Sequence, residues 1–183
     1  MYADLKPIAD KAEVLLLELS EMIQNGPRFR IIHRFRKAGT ECHAGEEVAA
    51  VHLLHRGRAI PLPLPLALRL VFDYLARHHH MPQSASQITA GMRVSPFYVR
   101  HGLNAGVLSR RKISRSSVKE YVKRIRKAML VAFRESQTTM NPPRVLVSMN
   151  TVGNEAQYRM RAVFEWLHID ELPYPNGNAG SRQ

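Results

Sequence analysis

The sequence predicts an α+β fold in which short strands come first, three helices follow and a β-hairpin closes the domain. Three observations carry this expectation. Apolar residues alternate with charged ones in "RFRIIHRFRK", and "EVAAVHLLHRGRAIPLPLP" reads as two short strands joined by a turn. From Pro65 onward the apolar spacing turns helical, and it is helical again through "SSVKEYVKRIRKAM". After Asn141-Pro142-Pro143 the alternation returns in "RVLVSMNTVGNEAQYRMRAVFEWLHI".

In chain order, residues 4–25 read as a helix that Asp4 caps, that tolerates Pro7 in its first turn and that Gly26-Pro27 stops. Its Leu5, Ile8, Ala12, Leu15, Leu19 and Met22 form a heptad seam of about three repeats, which can pack on the same domain or pair two subunits as a homodimer. A strand follows, then a polar loop around residues 39–47. Two short strands come next, joined by a turn at Arg56-Gly57. The first core helix carries Leu66, Leu68, Leu70, Val71, Phe72, Tyr74 and Leu75 inward and ends at His78-His79-His80. A second helix occupies "SASQITAGM", capped by Ser84 or Ser86.

Residues 94–115 form a basic, glycine-interrupted connection with a short helical turn. Ser117 and Glu120 make an S-x-x-E capping box that starts the third helix. Val118, Tyr121, Val122, Ile125, Met129 and Ala132 line one of its faces, and Ser116, Glu120, Lys123, Arg124 and Lys127 the other. Strands over 144–152 and 157–168, turning at "GNEA", form the hairpin, with Phe164 and Trp166 alternating into the core. The tail has a mobile composition. The regions are thus a helix-and-strand arm over 1–45, a domain over 46–170 and a tail over 171–183.

The chain of 183 residues carries a formal charge of +12, an excess that calls for a polyanionic partner, nucleic acid or an anionic membrane surface. Nine Lys or Arg and one acid fall between Ser109 and Lys127, so two-thirds of the excess sits in a tenth of the chain. Holding that many like charges together is unfavourable unless a partner neutralises them. A membrane-surface helix would bring Trp, Phe and Leu to its apolar side, whereas this one brings β-branched and medium residues suited to a core. The most apolar stretch, from Ile60 to Phe72, holds three prolines and Arg69 and is unfit to span a bilayer. Cys42 is the only cysteine, so no intramolecular disulfide forms, and with no secretory signal a reducing cytoplasm is the expected home.

Two clusters have plainer readings than they first suggest. The three histidines point in different directions from a helix end, where a polar C-terminus explains them better than a metal does. Cys42 and His43, with Glu41, Glu46 and Glu47, lie in an acidic loop and read as solvated residues rather than a metal or redox site. With no nucleophile–base set and no nucleotide loop, neither an enzyme nor a cofactor or metal is expected.

The segment "SRSSVKEYVKRIRKAM" resembles the recognition helix of OmpR/PhoB-type winged-helix regulators, T-V-x-x-H-I-x-x-L-R-x-K-L. Ser117 and Val118 hold its first two positions, Tyr121 the histidine position, and Val122 and Ile125 the aliphatic ones; Arg124, Arg126 and Met129 fit its end. "MNTVGNEAQYRMRA" resembles the wing through Thr151, Val152, Tyr158, Arg159 and Met160, and "LVFDYLARH" resembles the first helix. "HRGRAIPLP" stands where the family's small N-terminal sheet would lie, so the likeness covers about residues 48–162. Gln157 replaces a glycine, the wing turn is about one residue longer, and residues 94–115 are longer and more basic than the usual loop. No phosphoacceptor receiver sequence precedes the domain, so aspartyl phosphorylation is not implied.

The resemblance implies a winged helix-turn-helix (small N-terminal sheet, three-helix core, hairpin wing) that binds double-stranded DNA as a transcription regulator and so meets RNA polymerase. It implies that Lys119, Glu120, Lys123 and Arg124 face base edges in the major groove. Arg110, Arg111, Lys112, Ser114, Ser116, Arg126, Lys127, Asn150, Thr151 and Arg159 would hold phosphates. Two rival readings use the same scaffold: an adaptor whose basic surface binds an acidic protein, and an RNA-binding module, the latter disfavoured by the lack of an aromatic stacking platform.

Overall fold

In a computed structural model of the chain, the structure describes Glu13, Leu16, Leu17, Ser20 and residues 26–36, 45–95, 97–98, 115–150 and 155–170. The fold is mixed α+β with two sheets. Strands β1 (Arg28–Arg36), β2 (Gly45–His55) and β3 (Arg58–Pro61) precede helix α1 (Leu66–Arg77). A two-residue strand β4 (Gln83–Ser84) leads into α2 (Ala85–Val94), and α3 (Arg115–Glu135) follows residues 96–114. A single turn α4 (Pro142–Val145) and strands β5 (Leu146–Asn150), β6 (Ala156–Met160) and β7 (Val163–Asp170) complete the order. No described helix is long and apolar enough to cross a membrane.

The first sheet runs β3-β2-β1-β7. Within β1 the alternation reads directly as burial, since Phe29, Ile31 and His33 are buried while Arg28 and Arg34 are exposed. Arg56 and Gly57 join β2 to β3, and both have positive φ, the pair of left-handed residues that a tight hairpin turn requires. The expected arm boundary at residue 45 thus falls between hydrogen-bonded neighbours, because β1 pairs with β2 along its length. The four described N-terminal residues are helical and exposed, and all six residues of the heptad seam lie outside the described residues. So do Cys42, His43, most of the 94–115 connection and the tail from 171.

The second sheet runs β4-β6-β5. The expected strand over 157–168 is in fact two strands. β6 pairs with β5 in the hairpin, and beyond Arg161-Ala162 the chain crosses to the first sheet, where β7 lies parallel to β1. The alternation hides this break, because Tyr158, Met160, Ala162, Phe164 and Trp166 all have the same parity and all pack on the core. The hairpin's other strand also starts late: Pro142 and Pro143, preset for a first helical turn, make α4 before β5 begins.

The helices obey their local chemistry. Ser84 caps α2 by accepting from the Gln87 backbone N–H while the Gln87 side chain accepts from the Ser84 N–H, a complete capping box. In α2, Gly91 lies under Tyr74: a β-carbon there would collide with the Tyr74 hydroxyl, so only glycine fits beside this buried ring. At the end of α1, His78 and His79 donate from Nδ1 to the carbonyls of Tyr74 and Ala76, adding side-chain donors to the last turn. Gln137 takes the left-handed position after α3, with the Gln137 N–H donating to the Arg134 carbonyl and the Thr138 N–H to that of Phe133.

One polar cluster ties these parts together. Asp73 of α1 is fully buried, and four side chains from different places donate to it. His33 Nε2 of β1 and Trp166 Nε1 of β7 reach Oδ1, each at 3.1 Å; Arg77 Nε reaches Oδ2 at 2.9 Å and the Tyr98 hydroxyl at 2.8 Å. The Arg77 guanidinium in turn lies over the rings of Phe97 and Trp166. Burial alone would push the Asp73 carboxyl upward, but the hydrogen bond from His33, the Arg77 charge and the Tyr98 hydroxyl outweigh it and hold the group below its ordinary value of 3.8. Burial, with the Asp73 charge beside it, pushes the Tyr98 phenol well above its ordinary range, so it stays a donor.

A carboxyl held low in the native state stabilises folding above its unfolded value, and that contribution fades as pH falls from about 4 through the lower native value. Stability measured between pH 6 and 2.5 should therefore drop more steeply for the native chain than for Asp73→Asn, and parallel curves would refute the role given to this charge. Asp73→Ala, which strands buried donors, should cost roughly 3–5 kcal/mol by urea denaturation.

Candidate nucleic-acid interface

Helix α3 divides into two faces. Val118, Val122, Ile125, Met129, Ala132 and Phe133 are buried where the helix packs on α1, α2, α4 and β3, which leaves the other side to solvent. Lys119, Glu120, Lys123, Arg124 and Lys127 are all exposed there, and none makes an ion pair with another described residue. Ser116 is exposed at the start of the same row.

The helix begins at Arg115, so Ser117 lies inside the first turn and is not the N-cap of an S-x-x-E box. Ser114, Ser116 and Ser117 crowd four positions, and each is a residue type that caps, so the pattern alone is degenerate. Glu120 therefore sits well inside the helix, exposed on the charged row.

Of the residues expected to hold phosphates, Arg110, Arg111, Lys112, Ser114 and Thr151 lie outside the described residues. Asn150 is the last residue of β5 and pairs with Ala156. Lys127 is exposed, but Arg126 and Arg159 have work inside the protein. Arg126 donates from Nε and Nη2 to the Leu146 carbonyl at 2.9 and 2.5 Å and from Nη2 to Ser148 Oγ at 2.7 Å. Its pKa is lowered by burial, partly countered by Tyr158. Arg159 Nε donates to the His79 carbonyl at 3.2 Å. Sequence does not show these internal contacts, because a basic side chain looks the same there whether it points at solvent or at a carbonyl.

Further contacts fix the hairpin against the helices. Glu155 accepts from the Ser86 N–H at 2.8 Å and from its hydroxyl at 2.6 Å. A carboxylate thus sits on the first turn of α2, where the helix dipole favours negative charge. Strand β4 pairs Gln83 with Tyr158 and Ser84 with Gln157, joining the entrance of α2 to β6. The hairpin is thereby attached to the beginning of α2 by Glu155 and β4 and to the middle of α3 by Arg126. The capping preference of Ser84 is readable in sequence; the pairing of Glu155 with Ser86 across 69 positions is not.

No protein family, curated protein or solved structure matches the chain.

Replacing Arg126 by Ala should lower stability by about 1–3 kcal/mol, since the buried Leu146 carbonyl loses its charged donor. Lys127→Ala, on the exposed row, should stay within about 0.5 kcal/mol of the parent. Equal effects of the two in chemical denaturation would show that Arg126 does not fasten the hairpin.

Proposed function

We propose that the protein binds double-stranded DNA sequence-specifically as a transcription regulator, with a winged-helix arrangement that presents α3 to the major groove and the β5–β6 hairpin to the adjacent backbone. The observation that carries this reading is the exposed row of Lys119, Glu120, Lys123, Arg124 and Lys127 on a helix whose opposite face is fully committed to the core. A major groove about 12 Å wide admits one such helix. An N-terminal sheet, then α1, α2 and α3, then the β5–β6 hairpin is an order that supports the winged-helix reading.

The row has the chemistry of base readout. Lys123 and Arg124 suit the guanine O6 and N7 acceptors, and Glu120 suits the cytosine amino group. Lys127 and Ser116 flank them at positions that reach the backbone. Arg126 and Arg159 each already donate to a carbonyl of the protein, so either would reach a phosphate only through the N–H groups left over.

In competition between a selected site and random duplex at ~150 mM salt, the parent should prefer its site by about a thousandfold or more. Lys123→Ala with Arg124→Ala should abolish that preference with the melting temperature unchanged; a retained preference would sink the groove assignment. With about five or six phosphate contacts, log affinity against log salt should have a slope near −5, and a slope near zero would favour a protein partner instead. Glu120→Gln should raise affinity for random duplex while altering which base pair is preferred at one position of the site. A uniform rise at every sequence would make Glu120 a bystander.

A further inference from the structure

A second basic surface lies away from the α3 row. A cleft of about 580 Å³ opens where the start of β1, the β2–β3 turn and residues 138–140 after α3 come together. Lys123 and Glu135, the last residue of α3, are more than three helical turns apart, so the cleft is a separate place from the charged row. Arg28, Arg56 and Arg58 project around it, all three exposed, and none makes an ion pair with another described residue. Arg30 also borders it, but its guanidinium is paired with Glu165. No Asp or Glu is among the described residues that line the cleft, while Leu54, Ala59 and Met140 give its wall an apolar patch.

The turn adds an independent observation. Arg56 holds a positive φ, a left-handed conformation that Gly, Asn and Asp adopt with least strain and that a long side chain rarely takes. Stability alone would favour Asn-Gly at this two-residue loop. Arginine there carries backbone strain and, with Arg30 paired to Glu165, adds a third guanidinium to the two of Arg28 and Arg58, which is unfavourable on both counts without an anion to bind.

We infer that this cleft binds a phosphate-bearing anion of nucleotide size, with Arg28, Arg56 and Arg58 on the phosphates and a ring packed against Leu54, Ala59 and Met140. Its volume falls within the range of roughly 300–1,000 Å³ typical of small-molecule sites. Guanidinium groups suit phosphate oxygens because their planar forks donate two hydrogen bonds at once. The apolar wall gives a ring somewhere to bind and gives inorganic phosphate nothing.

Calorimetry of the full chain with ATP, at ~150 mM salt to screen loose attraction, tests this directly. ATP should bind at one site with a submillimolar Kd, and tripolyphosphate should bind more weakly. Arg56→Asn and Arg58→Ala should each weaken ATP about tenfold, the effect of losing one charge-assisted contact of ordinary strength. Arg56→Asn should at the same time leave the melting temperature equal or higher, because Asn relieves the turn; a residue with only a structural role would not move affinity and stability in opposite directions. Lys123→Ala with Arg124→Ala should leave ATP binding unchanged, which separates this site from the proposed DNA surface. No binding at millimolar ATP, or binding that the Arg56 and Arg58 variants leave intact, would overturn the assignment. So would binding abolished by the α3 variant, and tripolyphosphate binding as tightly as ATP would overturn the ring contact.

Discussion

The buried carboxylate of Asp73 is the constraint on which the two halves of the fold depend. An ionised group at zero exposure is tolerated only where several donors converge on it, and here they come from β1, β7, the residues after α2 and its own helix. These donors are far apart in sequence, so the charge is stable only when β1, β7 and Tyr98 have reached their places together. An apolar side chain in that position would pack with many neighbours; the carboxylate accepts one arrangement. That is a reason for the cluster to specify the fold beyond what it adds to stability.

A similar logic governs the surface. Helix α3 can present a row of charges to solvent because its other polar neighbours are already satisfied inside the protein. Arg126 holds β5, Arg159 holds the end of α1, and Glu155 sits on the first turn of α2. Each fastener fixes the hairpin relative to a helix, so the distance from α3 to the hairpin is set by charged hydrogen bonds as well as by packing. In the proposed DNA complex that distance would decide whether helix and hairpin engage the groove and the flanking backbone at once. Rigidity of this kind lowers the entropy lost on binding.

Much of this is legible in the sequence wherever local chemistry decides the outcome. The tight turn at Arg56-Gly57, the Ser84 cap, the inward face of α1 and the Val118-Val122-Ile125-Met129 stripe follow from periodicity and turn preference, and all hold in the structure. What is not legible depends on partners distant in sequence. The parity of Tyr158 through Trp166 runs unbroken across the switch from one sheet to the other, so only pairing reveals it. Asp73 stands as a lone acid in the apolar run "LVFDYL", a signal that a buried acceptor needs donors, but nothing local names His33, Tyr98 or Trp166. The basic cleft is hidden for the same reason, since Arg28, Arg58 and Met140 come to line one cleft only once the sheet and α3 are in place.

Glu120 shows how a boundary shift changes chemistry. As the fourth residue of a capping box it would satisfy a backbone N–H and have little left for a ligand. With the helix starting at Arg115, it lies beyond the first turn, where the backbone N–H groups already have partners within the helix. It is exposed among Lys119, Lys123, Arg124 and Lys127, and it makes no ion pair with a described residue. A carboxylate in that position weakens attraction to phosphate wherever the helix meets a polyanion, so mere adhesion to nucleic acid would favour its loss. The placement makes sense if the row must discriminate as well as attract: one acceptor among donors distinguishes a cytosine amino edge from the guanine acceptors its neighbours suit, and repels sequences that offer it nothing.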